Sequence, residues 1–124
     1  MRLVLILASL ALLGGSAWAQ ASGDLSSEGQ KVFEDNCADC HRLNGKGLPG
    51  TFPAHDGNPF VLGDPKPVIA TVLNGRRGTL GQMPTWKDKL NDQQISAVVT
   101  YIRQAWSNQA PAVTPAMVAA TRSK

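Results

Sequence analysis

The sequence predicts an all-α protein: short helices strung around a long loop rich in glycine and proline. Apolar residues recur at helical spacing in three segments, capping or stop residues bound those segments, and no alternating strand pattern is present. The first segment is Ser26–Asn36, with Ser26 as N-cap and Gly29, Val32, Phe33 and Asn36 on one face. An interior glycine at position 29 costs up to about 1 kcal/mol against alanine, which points to a close packing contact there. The second is Lys66–Leu73, with Asp64 as N-cap, Pro65 in the first turn and Asn74-Gly75 as the stop. The third and most regular is Asn91–Trp106. Asn91 and Gln94 make a capping-box pattern, and Ile95, Val98, Val99, Ile102 and Trp106 form the stripe. Thr114-Pro115 can open one more short helix through Arg122.

The connection Arg42–Asp64 has glycines and prolines throughout, whereas ordinary loops run to roughly 4–6 residues. A compact chain tolerates such a loop if it wraps a large non-protein surface. The 124 residues, 43% apolar and 17% charged, amount to one globular domain. A net charge of +3, with Arg76-Arg77 the longest basic run, does not suggest a nucleic-acid partner.

The N-terminus has the three parts of a secretory signal. Arg2 supplies a charge, Leu3–Leu13 is apolar apart from Ser9, and Ala17-Trp18-Ala19 has the small-x-small pattern of a cleavage site. The apolar run is too short to span a bilayer, which takes about 20 residues. The expected organisation is therefore a cleaved leader over 1–19, a domain over 20–107 and a tail over 108–124. The expected product is soluble and exported, in the periplasm of a Gram-negative source.

The chemistry is concentrated in Cys37-Ala38-Asp39-Cys40-His41. In a C-x-x-C-H run, two thiols on one tight turn can each add across a vinyl group of a haem, and the following histidine then supplies the proximal imidazole. The pair also admits three other readings. A thioredoxin-like redox pair would need a βαβ context, a zinc site would need His55 as a fourth ligand, and a plain disulfide could join the two cysteines. A second axial ligand would come from Met83, placed between the flexible Gly78–Gln82 and Pro84; the other reading of Met83 is core filler. Met117 lies in the tail.

With these residues in place, the chain resembles the class I cytochromes c, particularly the small bacterial ones and the cytochrome modules attached to dehydrogenases and oxidases. The matching residues are Gly29, Phe33, Cys37, Cys40 and His41, then Asn44-Gly45, Gly47, Pro49-Gly50, Phe52-Pro53 and Gly57-Asn58-Pro59. Further on come Val72–Gly75, Met83-Pro84, Trp86, Leu90, Val99 and Tyr101–Arg103. The resemblance implies a cytochrome c fold, three or four short helices around one haem c, with the first and last helices meeting at Gly29. It implies haem attachment through Cys37 and Cys40 and iron ligation by His41 and Met83. It also implies a loop carbonyl, best matched by Pro53, that accepts from the His41 ring, and Trp86 as haem packing or a hydrogen-bond donor.

One segment departs from the family. Where an apolar residue is usual after Phe52-Pro53, this chain has Ala54-His55-Asp56. His55 reads first as a solvated surface histidine, then as a propionate or rim contact, and last as a competing axial ligand.

The functional expectation is a one-electron carrier and not an enzyme, since no catalytic triad, paired carboxylates or nucleotide-binding loop is present. Its partners would be dehydrogenases or oxidases docking transiently at the haem edge. Arg42, Lys46, Arg76, Arg77, Lys87 and Lys89 serve either as a steering rim or as scattered solubilising charge. Two alternatives stay open: a haem subunit of a larger complex, and a sensor or peroxidase-like site with a vacant sixth position.

Overall fold

The computed structural model describes residues 17–123, with side chains from Leu25 onward. Its elements run α1 (Ala17–Asn36), α2 (Ala38–His41), α3 (Pro59–Leu62), α4 (Pro65–Asn74), β1 (Arg76–Arg77), β2 (Gln82–Met83), α5 (Asp92–Gln104) and α6 (Pro115–Arg122). Residues 1–16 of the expected leader lie outside the described part, and Ala17–Ala19 begin α1. That helix starts earlier than the expected Ser26. Ala17, Ala19 and Ala21 are strong helix formers, so Ser26 is an interior position and not a cap.

The other boundaries follow the capping chemistry. The Asp64 carboxylate accepts from the Lys66 amide, and α4 ends at Gly75, whose φ is 72°. Asn91 and Gln94 satisfy each other's backbone amides at 2.8 and 3.0 Å, a complete capping box for α5. The Thr114 hydroxyl caps α6 by accepting from the Met117 amide. α5 stops at Gln104, short of the expected Trp106. Ala105 is extended and Trp106 has φ 56°, which turns the indole back over the loop to donate to the Leu43 carbonyl at 2.9 Å.

Three short elements, α3, β1 and β2, were absent from the sequence expectation. α3 is a single turn capped by Asn58. β1 and β2 pair antiparallel, Arg76 with Met83 and Arg77 with Gln82. At two residues each, these strands are too short for any alternation to register.

α1 packs on α5, and the core fills from Phe33 of α1, Ile69 and Leu73 of α4, and Ile95 and Val99 of α5. The tail closes the other side of α5 and α4, with Val113 and Val118 fully buried. Two polar fasteners hold the segments together. The buried Arg103 guanidinium donates to the carbonyls of Val61 at 2.6 Å, Gly63 at 2.9 Å and Pro111 at 3.0 Å. Arg122 pairs with the Asp92 carboxylate at 2.8 Å and reaches the carbonyls of Lys87 and Leu90.

Gly29 sits where α1 meets α5. A β-carbon there would collide with the Ala97 carbonyl and approach the Tyr101 β-carbon to 2.8 Å. Both obstacles belong to the rigid face of α5, so the helices must separate to admit it. Gly29→Ala is expected to destabilise the protein by about 1–3 kcal/mol, read from chemical denaturation; an unchanged midpoint would contradict the close approach.

Candidate functional site

The C-x-x-C-H run forms at a break between two helices. Cys37 ends the hydrogen-bond ladder of α1, its amide donating to the Phe33 carbonyl at 2.8 Å, and its φ of −119° starts the offset turn α2. His41 closes α2, and Arg42, with φ 66°, sends the chain away into the loop. This places both thiols and the imidazole on one short turn.

His41 is buried, and its Nδ1 lies 2.9 Å from the Pro53 carbonyl oxygen. A carbonyl can only accept, so Nδ1 carries the proton and Nε2 keeps its lone pair for a metal. Burial holds His41 below the ordinary histidine range, against the opposite pull of the Pro53 bond. The neutral imidazole is the form that ligates. The loop that delivers Pro53 is fitted to this contact: a β-carbon on Gly47 would come within 2.7 Å of the same carbonyl oxygen.

Cys37 and Cys40 are free thiols. Burial, and then the neighbouring Cys40, push Cys37 up to about 12, so this thiol stays protonated at neutral pH. Among the described residues no group of three or more histidine, cysteine or carboxylate side chains is placed to hold a metal ion.

All six residues singled out from the sequence (Cys37, Cys40, His41, Pro53, Met83 and Trp86) line one cavity of about 830 Å³. Its walls are otherwise largely apolar, with Phe33, Val68, Val72, Val98 and Ile102 contributed by α1, α4 and α5. The volume falls in the range of cofactor pockets, roughly 300–1,000 Å³. The dimensions and donor set suit a haem. An apolar slot takes the macrocycle, two thiols sit beside a neutral imidazole on one turn, and a thioether lies on another wall. Arg76 and Arg77 also line the cavity and provide positive charge suited to propionates. Met117 is not among the lining residues and packs instead against the core.

Met83 is delivered by β2. Its partner strand β1 leaves α4 through Gly75, and Trp86 and Lys87 then bond back to the carbonyls of Val72 and Leu73 at the end of α4. The Lys89 ammonium lies 5.2 Å from the centre of the Trp86 ring, a cation–π contact on this wall. Arg76 lies over the half-exposed Phe60 ring at 5.9 Å. Sequence reasoning left Arg76 and Arg77 as either a steering rim or scattered charge; both are exposed, and the β1–β2 pairing sets them at the border of the cavity.

His55 is the principal correction. It is not a solvated surface histidine. Its ring stacks on His41, centroids 4.0 Å apart and planes at 23°, and Nδ1 is buried without a hydrogen-bond partner. Burial, and secondarily His41, push His55 down to about 3, so it is neutral. The signal in the sequence was the position itself, where the family pattern has an apolar residue.

The family model for subunit III of cbb3-type cytochrome c oxidase matches residues 24–102. The chain is 37% identical over 113 residues to the gluconate 2-dehydrogenase cytochrome c subunit of Pantoea cypripedii, covering 82% of this chain and 25% of that protein. It is 33% identical over 97 residues to the cytochrome c subunit of the quinone alcohol dehydrogenase of Gluconobacter oxydans, covering 72% of this chain and 20% of that one. It therefore spans a quarter or less of these two subunits. Against cytochrome c-552 of Thermus thermophilus it is 34% identical over 109 residues, covering 78% of this chain and 68% of the relative.

Gly75 tests the delivery of Met83. Its φ is 72°, and a β-carbon there would collide with the Met83 carbonyl and come within 2.9 Å of Pro84. Gly75→Ala is expected to shift β2 away from the cavity. If the cavity holds a haem ligated by Met83, the far-red sulfur-to-iron absorption of the oxidised protein would weaken or vanish while haem attachment persists. A full-strength band in that variant would contradict the placement.

Proposed function

The chain belongs to the cytochrome c family represented by subunit III of cbb3-type oxidases, and we propose on that premise that it is an exported one-electron carrier with a single haem c. Family membership implies a covalently held haem c. Cys37 and Cys40 would hold it by thioether bonds, His41 would be the proximal ligand through Nε2, and Met83 the second axial ligand. When bound, the haem supplies a one-electron iron couple. The protein residues do the rest. Pro53 orients the His41 ring and raises its basicity. The soft, neutral Met83 thioether favours the reduced iron. Trp86 and the aliphatic side chains of α4 and α5 give the cavity apolar walls.

The observation that carries this reading is the convergence of Cys37, Cys40, His41, Pro53, Met83 and Trp86, drawn from three distant stretches of chain, on one cavity. Two axial ligands from the protein leave no position for a substrate, so the proposal is a carrier and not a catalyst. The natural partners are dehydrogenases or oxidases, like those named in the relatives, engaged transiently at the haem edge. The compartment proposed is the periplasm, reached through the leader over residues 1–19. No described helix is long and apolar enough to cross a membrane.

A second reading is a haem subunit bound permanently within a larger complex. It is favoured by the relatives that are such subunits. Co-purification with a dehydrogenase or oxidase after gentle lysis would support it over a free carrier.

Optical spectra of the exported protein, oxidised and reduced, with and without carbon monoxide, test the site. The expected result is a low-spin haem c with the far-red sulfur band, indifferent to carbon monoxide. In Met83→Ala the band disappears and the reduced protein binds carbon monoxide. Ready carbon monoxide binding by the unaltered protein would transfer the assignment to sensing or catalysis.

A further inference from the structure

We propose that His55 is a positioning residue for His41: by stacking on the proximal imidazole it fixes the plane of that ring, and so helps to set the ligand field and reduction potential of the iron. The inference rests on His41 being the proximal ligand.

The hydrogen bond from Nδ1 of His41 to Pro53 pins one point of the ring edge. A ring held there and at the metal can still pivot about the line joining the two nitrogens. The His55 ring, 4.0 Å from the His41 centroid and 23° from parallel, lies against its face and removes that freedom. The stack also excludes His55 as the second axial ligand. Two parallel imidazoles in face contact lie on the same side of a haem, whereas a sixth ligand must reach the iron from the opposite side.

His55 is itself held firmly. Its amide donates to the Gly45 carbonyl at 2.7 Å, and its carbonyl accepts from the Asn108 side chain at 2.9 Å. Asn108 is buried and also bonds the Ile102 carbonyl and the Gly57 amide, which ties the His55 loop to α5. Beyond His41, the His55 ring approaches Phe33 at 5.9 Å and Trp106 at 6.4 Å. It is thus the link between the aromatic cluster of the α1–α5 interface and the proximal ligand.

The buried Nδ1 of His55 has no partner. The proposed action is through the face of the ring, so a flat ring without nitrogens should replace it. That expectation separates stacking from simple space-filling.

The test uses the haem-loaded protein with His55→Phe and His55→Leu. Both fill the site with apolar atoms, and only the first retains a flat ring. The readouts are the paramagnetically shifted haem-methyl resonances and the electron paramagnetic resonance g-values of the oxidised protein, which report the axial-ligand planes, together with the midpoint potential. The expected result is that Phe preserves the methyl pattern, the g-values and the potential, while Leu reorders or spreads the methyl resonances and displaces the potential. A Leu variant matching the unaltered protein in all three would overturn the proposal and leave His55 as packing. Altered signals in Phe equal to those in Leu would also overturn it. If the unaltered protein itself lacked a low-spin, histidine-ligated haem, the functional reading would fail along with the inference, which distinguishes the two failures.

Discussion

The hydrogen bond from His41 to the Pro53 carbonyl is the constraint on which the site depends. It reaches across 12 residues from the end of α2 into a loop without regular structure. To place one carbonyl oxygen there, the loop needs left-handed turns at Gly45, Gly47 and Gly50. Two main-chain bonds steady it, from Gly47 to His41 and from His55 to Gly45. The indole of Trp106 lies against Gly45, where a β-carbon would approach its ring to 2.6 Å. A loop that is expensive in conformational entropy is thereby fastened to the most regular helix of the protein.

The second wall is built differently. Met83 is carried by a two-residue strand pair that springs from the end of α4, and the chain returns to bond α4 again at Val72 and Leu73. The His41 wall is thus anchored on α1 and α5, and the Met83 wall on α4. The Phe33, Ile69, Leu73, Ile95 and Val99 core holds these two anchors together. Packing in the core sets the width of the cavity, and through it the reach of the two proposed ligands.

Much of this was legible in the sequence, for identifiable reasons. Asp64, Asn91 and Thr114 announced their helices because capping is local chemistry, carried by side chains within three residues of the amides they satisfy. The C-x-x-C-H spacing is equally local. Gly29 was legible as a close approach because an interior glycine is otherwise a cost. What could not be read depends on distant partners. Trp106 continues the α5 stripe in sequence, and only Gly45 and Leu43, some sixty residues upstream, draw it out of the helix. Arg76 and Arg77 are exposed, and only the pairing of β1 with β2 shows that they border the cavity. His55 was misread because a single imidazole in a polar loop is usually solvated, and its burial is decided by His41, Phe33 and Trp106, which the chain brings together from three directions.

The central claim is a single haem joined covalently to Cys37 and Cys40, and intact mass spectrometry of the purified exported protein under denaturing acid tests it most directly. The account predicts a species heavier than the polypeptide by one haem, the added mass mapping to the peptide that contains Cys37–His41 and no free thiol left to alkylate. Polypeptide mass alone, with both cysteines alkylated or joined as a disulfide, would contradict it.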